Sequence, residues 1–454
     1  MKSRAERKAN LMEMAEEEIE KLLEWMEATD APDLGGIEEE VLSIRQRIGE
    51  AMTKEVIAHQ ESVRPVPSPD CPKCAKEMHY KGMKPKEISS MIGEVKLNRG
   101  YYYCDHCQSG LFPLDRQLDV KERNWSESII REAAWLSGIS GSYEQVEEVL
   151  IRIGKINMDD STLWRHVQKR GEILREAEEK RKEKAMALPQ IGERPRQPSP
   201  GADRMGVGID GAMVNIRDEG WKEFKVGAVY EIAERPVRDP ITGEWTNIAG
   251  AVNNSYVAHL GDAQGFGPLI WSAAQSRGWE DARDTQTIGD GAHWIWNLAD
   301  EYFPLSIRTV DWYHGSEYLH DAARFLFPAS ASATTRWFNR AETMLFQRQA
   351  RSIADAISDK VDAKPSLATD ELSAAVTYFH NNHQRMQYME FREDGFPIGS
   401  GMVESAAKQF KARFTGPGMR WSRPGLQRLI PIRAAALSHA FDDLWNSVFS
   451  SPPN

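Results

Sequence analysis

Strand-like and helix-like patterns of apolar residues alternate regularly along the second half of the chain. Apolar runs or alternation with a period of two predict strands, and apolar residues three and four apart predict helices. The predicted strands are 205–217, 224–232, 255–260, 285–289 and 306–310, and the predicted helices are 262–277, 293–303 and 313–327. Residues 331–390 follow with helical periodicity and few strand signals.

Three strands followed by alternating helices and strands is the element order of a ribonuclease H-like domain. In that order the fourth strand lies beside the first. We therefore expect an α+β multidomain protein whose catalytic core is a ribonuclease H-like α/β domain with a helical insertion.

The first half of the chain is mostly helical in pattern. Residues 8–60 are predicted to be helical, with apolar residues at heptad-like spacing at Leu11, Ala15, Ile19, Leu22 and Met26. This spacing fits either a helix packed on its own chain or a helix that pairs with a second copy. Three prolines between residues 65 and 69 predict a linker after it.

Three shorter helices are predicted at 126–137, 142–153 and 160–177. At the start of the last one, Asp159 and Asp160 precede Ser161 and are possible N-terminal caps. It carries Arg165, Lys169 and Arg170 around an apolar stripe, which is typical of the recognition helix of a helix-turn-helix. The alternative is an ordinary solvated helix in a small bundle.

The four cysteines form two pairs, Cys71–Cys74 and Cys104–Cys107, each with two residues between its members. Two such pairs supply the four thiolates of a tetrahedral zinc site. Strands are predicted at 92–98 and 100–103, with a turn near residues 98–100. Together with the cysteine pairs, these strands predict a zinc ribbon. Because protein fills all four positions, this zinc is structural. The alternative, two disulfides, requires a secreted protein.

Composition limits the remaining classes. The 454 residues are 41% hydrophobic, which is enough for a folded core of two to four domains. The sequence has no apolar run long enough for a membrane span, and its charged start does not resemble a signal peptide, so we expect a cytoplasmic, nucleoid-associated protein without a membrane partner. The net charge of −11 disfavours nucleic-acid binding, but residues 404–433 hold seven Lys or Arg and one acid. A local basic face therefore remains compatible with the composition.

Three carboxylates occupy positions that the predicted order brings together. Asp210 lies on the first strand, Asp290 ends the fourth, and Glu404 begins a late helix. Phosphodiester chemistry uses two hard cations held by carboxylates, and magnesium or manganese suits such ligands. Each residue also has a plainer interpretation, since an Asp beside Gly is often a turn residue and Glu404 fits any helix surface.

Five motifs resemble those of the ISKra-type insertion-sequence transposases, a Mutator-like branch of the DDE superfamily. They are GIDG at 208–211, IGDGAHWI at 288–295, VDWYH at 310–314, GSGMVES at 399–405 and GMRWS at 418–422. The resemblance implies that Asp210, Asp290 and Glu404 are the catalytic trio. It also implies that Asp311 and His314 support that site or the DNA of the element ends.

The resemblance implies a DNA transposase that binds double-stranded DNA at the terminal inverted repeats and at the target, and that cleaves and joins strands. A homodimer or a larger synaptic assembly is expected. Two alternatives are a metal-dependent nuclease of the same fold and a domesticated zinc-ribbon DNA-binding regulator. The residues expected to contact DNA are Arg165, Lys169, Arg170, Lys408, Lys411, Arg413, Arg420, Trp421 and Arg423. For Trp421, an equally good interpretation is an anchor that fixes the C-terminal helix to the core.

These patterns divide the chain into six predicted parts. They are an N-terminal helical region (1–64), the zinc ribbon (65–118), the helix-turn-helix-like region (119–187), a proline-rich linker (188–203), the catalytic domain (204–440, with its insertion at about 328–396) and a C-terminal tail (441–454).

Overall fold

The structure, a computed structural model, describes residues 3–120, 124–187, 202–238 and 245–449. These residues form an α+β protein with two compact units. Unit 1 contains the described residues up to Leu136 together with Tyr143–His166, and unit 2 contains Ser137–Ser142 and the described residues from Val167 onward. Most of the predicted linker, 188–201, lies outside the described residues. No helix of the described part has the length and hydropathy needed to cross a bilayer.

Unit 1 begins with two consecutive helices that contact each other, α1 (Arg4–Ala28) and α2 (Leu34–Ala58). The predicted helix over 8–60 is therefore broken after Ala28, because Asp33 begins a new helix by accepting a hydrogen bond from Gly36 N at 2.9 Å. Ser3 and Glu6 form a capping box at the start of α1. Several large apolar side chains of α1 and α2, including Met12, Ile19, Met26 and Val41, stay exposed.

The sheet of unit 1 is antiparallel, with strands β1 (His79–Ser90), β2 (Gly93–Cys104) and β3 (Ser109–Leu111) in that spatial order. The predicted turn near residues 98–100 is wrong. The β1–β2 turn lies at 91–92, where Gly93 takes a φ of +131°. Gly100 instead lies within β2, where a Cβ atom would approach Val63 O to 3.0 Å. This glycine therefore serves close packing and not a turn.

Short helices complete unit 1. A 3-10 turn (Glu61–Val63) and α3 (Pro113–Gln117) flank the sheet. The three predicted helices form as α4 (Glu127–Ile139), α5 (Tyr143–Arg152) and α6 (Asp160–Met186). Helix α4 is mostly in unit 1 and α5 entirely so, whereas α6 begins in unit 1, belongs to unit 2 from Val167 onward and is nine residues longer than predicted. Asp159 caps α6 by accepting a hydrogen bond from Thr162 N at 2.9 Å. Hydrogen bonds from Ser161 and Thr162 hold the pKa of Asp159 well below its usual range.

Unit 2 is built on a five-stranded mixed sheet. All five predicted strands form, as β4 (Arg204–Ile216), β5 (Gly220–Arg238), β6 (Trp245–Leu260), β7 (Asp284–Gly289) and β8 (Ile307–Val310). The spatial order is β6-β5-β4-β7-β8. The pairs β6–β5 and β5–β4 are antiparallel, whereas β7 and β8 run parallel to β4. The expectation that the fourth strand lies beside the first is confirmed.

Helices follow the strands of unit 2. Helix α7 (Ala263–Ser276) lies between β6 and β7, α8 (His293–Tyr302) lies between β7 and β8, and α9 (Trp312–Leu326) follows β8. The predicted helical insertion forms as α10 (Ala331–Phe346), α11 (Ala350–Ala363), α12 (Asp370–Asn382) and α13 (Tyr388–Glu393). The chain then forms α14 (Gly401–Phe414), α15 (Arg423–Leu437) and α16 (Phe441–Phe449), and short 3-10 turns lie at Trp279–Asp281, Pro365–Leu367 and His383–Arg385.

The described part of the predicted C-terminal tail is a helix. Residues 441–449 form α16, because Phe441 and Trp445 are buried and stack at 5.4 Å. Residues 450–454 lie outside the described residues.

One face of β4 belongs to the main core of unit 2, where Met205, Val207 and Ile209 are fully buried. On the other face, Gly208 lets α14 approach closely, because a Cβ atom at that glycine would lie 3.1 Å from the Cβ of Val403. The glycine thus sets the distance between β4 and the residues at the start of α14.

Candidate functional site

Three neighbouring strands of unit 2 align at one level, where β7 and β8 end and β4 continues to Ile216. Ile209 of β4 pairs with Gly289 of β7, and Gly289 pairs with Val310 of β8. An aspartate directly follows each of these aligned residues; the three aspartates are Asp210, Asp290 and Asp311. Because the three strands are parallel, the register places the aspartates at one level on one edge of the sheet.

Glu404 lies in the first turn of α14, one residue after the Val403 that rests on Gly208. Its Oε1 accepts a hydrogen bond from Ser400 Oγ at 3.2 Å. Its Oε2 lies 3.6 Å from Lys408 Nζ on the next turn of the helix. The glutamate is therefore held at the end of α14 that approaches β4.

Asp311 is fully buried and joins β8 to two helices. Its Oδ1 caps α9 by accepting a hydrogen bond from His314 N at 2.9 Å. Its Oδ2 accepts a short hydrogen bond from Ser400 N, at the start of α14. Both carboxylate oxygens thus hold backbone amides, and Asp311 positions the segment that carries Glu404.

Asp311, His314 and Glu404 form a compact group with one ligand atom each, and these atoms lie within 4.8 Å of one another. The group could hold a metal ion. It contains one member of the predicted trio, Glu404, together with both residues that the sequence had suggested as supporting. Asp210 and Asp290 are outside this group, but two of its members, His314 and Glu404, act electrostatically on Asp210.

The electrostatics of Asp210 link the carboxylates of this edge. Burial raises the pKa of Asp210 to about 6. The charges of Asp290 and Glu404 act in the same direction, whereas a hydrogen bond from Gly211 N and the nearby His314 oppose the shift. A buried cluster of like charges is costly unless a cation neutralises it, so the donor set of carboxylates and one imidazole fits a divalent metal ion.

Tyr378 in the insertion helix α12 secures the segment that carries Asp290. Its hydroxyl donates to Asp290 O at 2.9 Å, and its ring stacks on Tyr318 at 3.8 Å. Asp290 Oδ1 accepts a hydrogen bond from Ala292 N at 2.8 Å, and Gly291 between them has a φ of +101°. The role of Tyr378 could not be predicted from the sequence, since no local signal relates residues 88 positions apart.

Two of the residues expected to contact DNA are buried. Arg413 donates from Nε to Ser137 O and from Nη1 to Gly141 O, each at 3.2 Å. Trp421 donates from Nε1 to Phe414 O at 3.0 Å, and its backbone O accepts from Arg217 N at 2.8 Å. Both side chains are therefore engaged within the protein and are not exposed for DNA contact, and the burial of Trp421 fits the alternative interpretation of an anchor.

The other basic residues of this segment differ in their availability. Lys408, Lys411 and Arg420 are exposed. Arg423 pairs with Glu219, with its Nη2 at 2.6 Å from Oε2, and this ion pair lowers the pKa of Glu219. The exposed basic residues of this segment are thus fewer than the seven Lys and Arg counted at 404–433.

In α6, the residues expected to contact DNA also differ. Arg165 is exposed and donates to Thr162 Oγ1 at 2.7 Å, and Lys169 is exposed. Arg170 is half-buried and lies over the ring of Phe449 at 4.7 Å. The recognition-helix role of this segment stays a prediction.

The four cysteines converge in unit 1. They are Cys71, Cys74, Cys104 and Cys107, and their sulfur atoms lie within 4.8 Å of one another without a disulfide. The two pairs have the same local geometry, because the residues that follow them, Ala75 and Gln108, have φ values of +57° and +48°. His106 is exposed and is not part of the group. The four thiols could hold one metal ion.

The thiols influence one another strongly. A hydrogen bond from the backbone of Lys73 is the largest of the effects that lower the pKa of Cys71 to about 6. Hydrogen bonding with Cys74 is the largest of the effects that raise the pKa of Cys107 to about 12. Four close thiolates repel one another unless a cation neutralises them, which fits a soft divalent ion such as zinc.

Comparison of the chain with protein-family models gave no match, and comparison with curated protein sequences gave none either.

Proposed function

We propose that this protein is a DNA transposase of an insertion sequence and that unit 2 is its ribonuclease H-like catalytic domain. The observation that carries the proposal is the alignment of three aspartates, one within β4 and one directly after each of β7 and β8, with Glu404 on the helix that packs against β4. The strand order β6-β5-β4-β7-β8 supports the fold assignment. The motif resemblance supports the class of reaction.

The metal ligands of this proposal are Asp210, Asp290 and Glu404, with His314 near enough to contribute. Divalent ions bound there, magnesium or manganese, would activate the attacking water or 3′ hydroxyl and stabilise the leaving oxygen of the phosphodiester.

The other residues of the site position these ligands. Asp311 fixes the start of α14 through Ser400 N, and Ser400 Oγ in turn donates to Glu404. Tyr378 holds the backbone at Asp290. These contacts keep the carboxylates oriented before DNA arrives, so that less reorganisation is needed when the substrate binds.

For DNA contact, we propose the exposed cations Lys408, Lys411 and Arg420 beside the site, and Arg165 and Lys169 of α6. Lysine and arginine side chains neutralise phosphates and release counterions, which gives affinity without sequence selectivity. We propose that the four cysteines form a zinc ribbon with a structural role, and that the active form is a homodimer or a larger assembly.

The test uses the purified full chain and duplex DNA that carries the inverted repeats flanking its gene. With magnesium, the wild type is expected to nick these ends and to join precut 3′ ends to target DNA. The variants Asp210→Asn, Asp290→Asn and Glu404→Gln should lose strand cleavage by at least about 100-fold while end binding persists. Asp321→Asn, an exposed aspartate on α9, is the matched control.

Full cleavage by all three variants would rule out the proposed site. Cleavage without joining of precut ends would favour the metal-dependent nuclease of the same fold. Sequence-selective binding without any magnesium-dependent cleavage by the wild type would favour the regulator.

A further inference from the structure

A cavity of about 580 Å³ opens in unit 2 beside the carboxylates. Its walls come from the outer parts of β5 and β6, the start of α9, the end of α10 and the segment that leads into α14. This volume lies within the range of sites that bind small organic ligands.

The cavity shares its wall with the candidate active site. Tyr313 of the wall lies two residues after Asp311, and Gly399 directly precedes Ser400, whose amide binds Asp311. Met402 of the wall lies two residues before Glu404 on α14. A group bound in the cavity is therefore adjacent to the carboxylates.

The charge of the cavity favours an anion. Its lining residues, all in the described part of the chain, include two arginines, Arg235 and Arg392, and no Asp or Glu. Both arginines are exposed. Gly250 makes room for one of them, since a Cβ atom there would lie 2.9 Å from Arg235 Nε. Guanidinium groups bind phosphates through paired hydrogen bonds.

Tyr313 supplies an aromatic surface at the same place. Gly399 allows its ring to lie against the backbone, because a Cβ atom at Gly399 would lie 3.3 Å from Tyr313 Cε2. The side chain nevertheless remains 63% exposed. Its neighbour Trp312 differs, since its ring packs edge-on against Tyr388 at 4.9 Å. An exposed ring of this kind is a platform for base stacking.

We propose that this cavity is a subsite for one unpaired nucleotide of the DNA strand at the active site. The base stacks on Tyr313, and Arg235 and Arg392 bind its phosphate. The proposal rests on the proposed function, because it specifies the form of DNA that the carboxylates receive: an end with a nucleotide out of the duplex. None of these three residues was among the expected DNA contacts.

The test compares two labelled DNA probes by fluorescence anisotropy, with the full chain in buffer without magnesium or manganese, so that no cleavage occurs and the proposed structural zinc is retained. One probe is a blunt duplex, and the other is the same duplex with a three-nucleotide unpaired 3′ extension. The wild type should bind the extended duplex about tenfold more tightly, as expected from stacking of one base. Tyr313→Leu should abolish this preference, and Tyr313→Phe should keep it.

The arginines are tested by a double variant, Arg235→Ala with Arg392→Ala. It should weaken binding of the extended duplex by about tenfold or more and reduce the salt dependence of binding. The matched control, Arg336→Ala with Arg340→Ala, removes the same charge from two exposed positions of α10 and should bind as the wild type does.

Equal affinity of the wild type for the two probes, binding of neither probe, or an undiminished preference in Tyr313→Leu would overturn the subsite. A chain that prefers the extended duplex but never cleaves DNA with magnesium would keep the subsite and refute the transposase. A chain that cleaves DNA but lacks the preference would refute the subsite alone.

Discussion

The contacts of Asp311 lead to a prediction about stability that does not depend on the proposed function. Its carboxylate is fully buried and accepts hydrogen bonds from His314 N and Ser400 N. A hydrogen bond to a charged group contributes about 1.5–3 kcal/mol, and a buried donor left without a partner costs a similar amount. The two bonds also connect α9 and α14, so their loss affects the packing of both helices.

Two substitutions separate these contributions. Asp311→Asn keeps one acceptor oxygen but turns an amide NH₂ toward the other backbone N–H, so it should lower the free energy of unfolding by about 1.5–3 kcal/mol. Asp311→Ala leaves both amides without this partner and removes the cap of α9, so it should cost more, about 3–5 kcal/mol.

Urea denaturation followed by tryptophan fluorescence measures both costs, with Asp321→Asn as the control. That aspartate is exposed on the same helix, and its replacement should change stability by less than about 0.5 kcal/mol. Native-state hydrogen exchange at Ser400 N should accelerate in both Asp311 variants. An Asp311→Asn protein as stable as the control would refute the assignment of Asp311 as the link between the two helices.

Three further predictions test other parts of the molecule. Gly291→Ala should lower the free energy of unfolding, measured by urea denaturation, by about 1–3 kcal/mol. The residue has a φ of +101°, and its Cβ would lie 2.7 Å from a tyrosine ring carbon. An unchanged free energy of unfolding would contradict the strained turn. Elemental analysis of the wild type should find one zinc ion per chain. The Cys104→Ser variant should lose this zinc, and the His106→Ala variant should keep it. Equal zinc content in the two variants would exclude the four-cysteine site. Trp421→Ala should lower the free energy of unfolding by about 3–5 kcal/mol, because this side chain is buried. Arg420→Ala should leave the free energy of unfolding unchanged and weaken DNA binding, because this side chain is exposed. The opposite pattern would show that Trp421 contacts DNA.

Local patterns in the sequence were sufficient for most elements of unit 2. In β4, which carries Asp210, apolar residues alternate at Met205, Val207 and Ile209, and β7, which precedes Asp290, is a short run with β-branched Thr285, Thr287 and Ile288. Such patterns are visible without any knowledge of the fold. Helix α14 and the position of Glu404 in its first turn were found in the same way, as were the two cysteine pairs.

The sequence-based predictions were wrong where one type of residue can serve more than one structural role. Gly100, which follows Asn98 and Arg99, resembled a turn residue, but its lack of a side chain serves packing within β2. Arg413 and Trp421 were expected to contact DNA because they lie in a basic segment, but both side chains are buried. Sequence identifies the residue type, whereas burial depends on the elements that pack around it.

Taken by itself, the sequence determined the elements, the cysteine pairs and the kinds of chemical group that each element carries. The tertiary structure decided the register that aligns Ile209, Gly289 and Val310, and hence the common edge of the three aspartates. It also decided that Asp311 binds Ser400 N, 89 residues away, and that Tyr378 holds Asp290. Secondary structure follows from periodicities a few residues long, but these contacts join segments distant in sequence and form only when the sheet and helices pack.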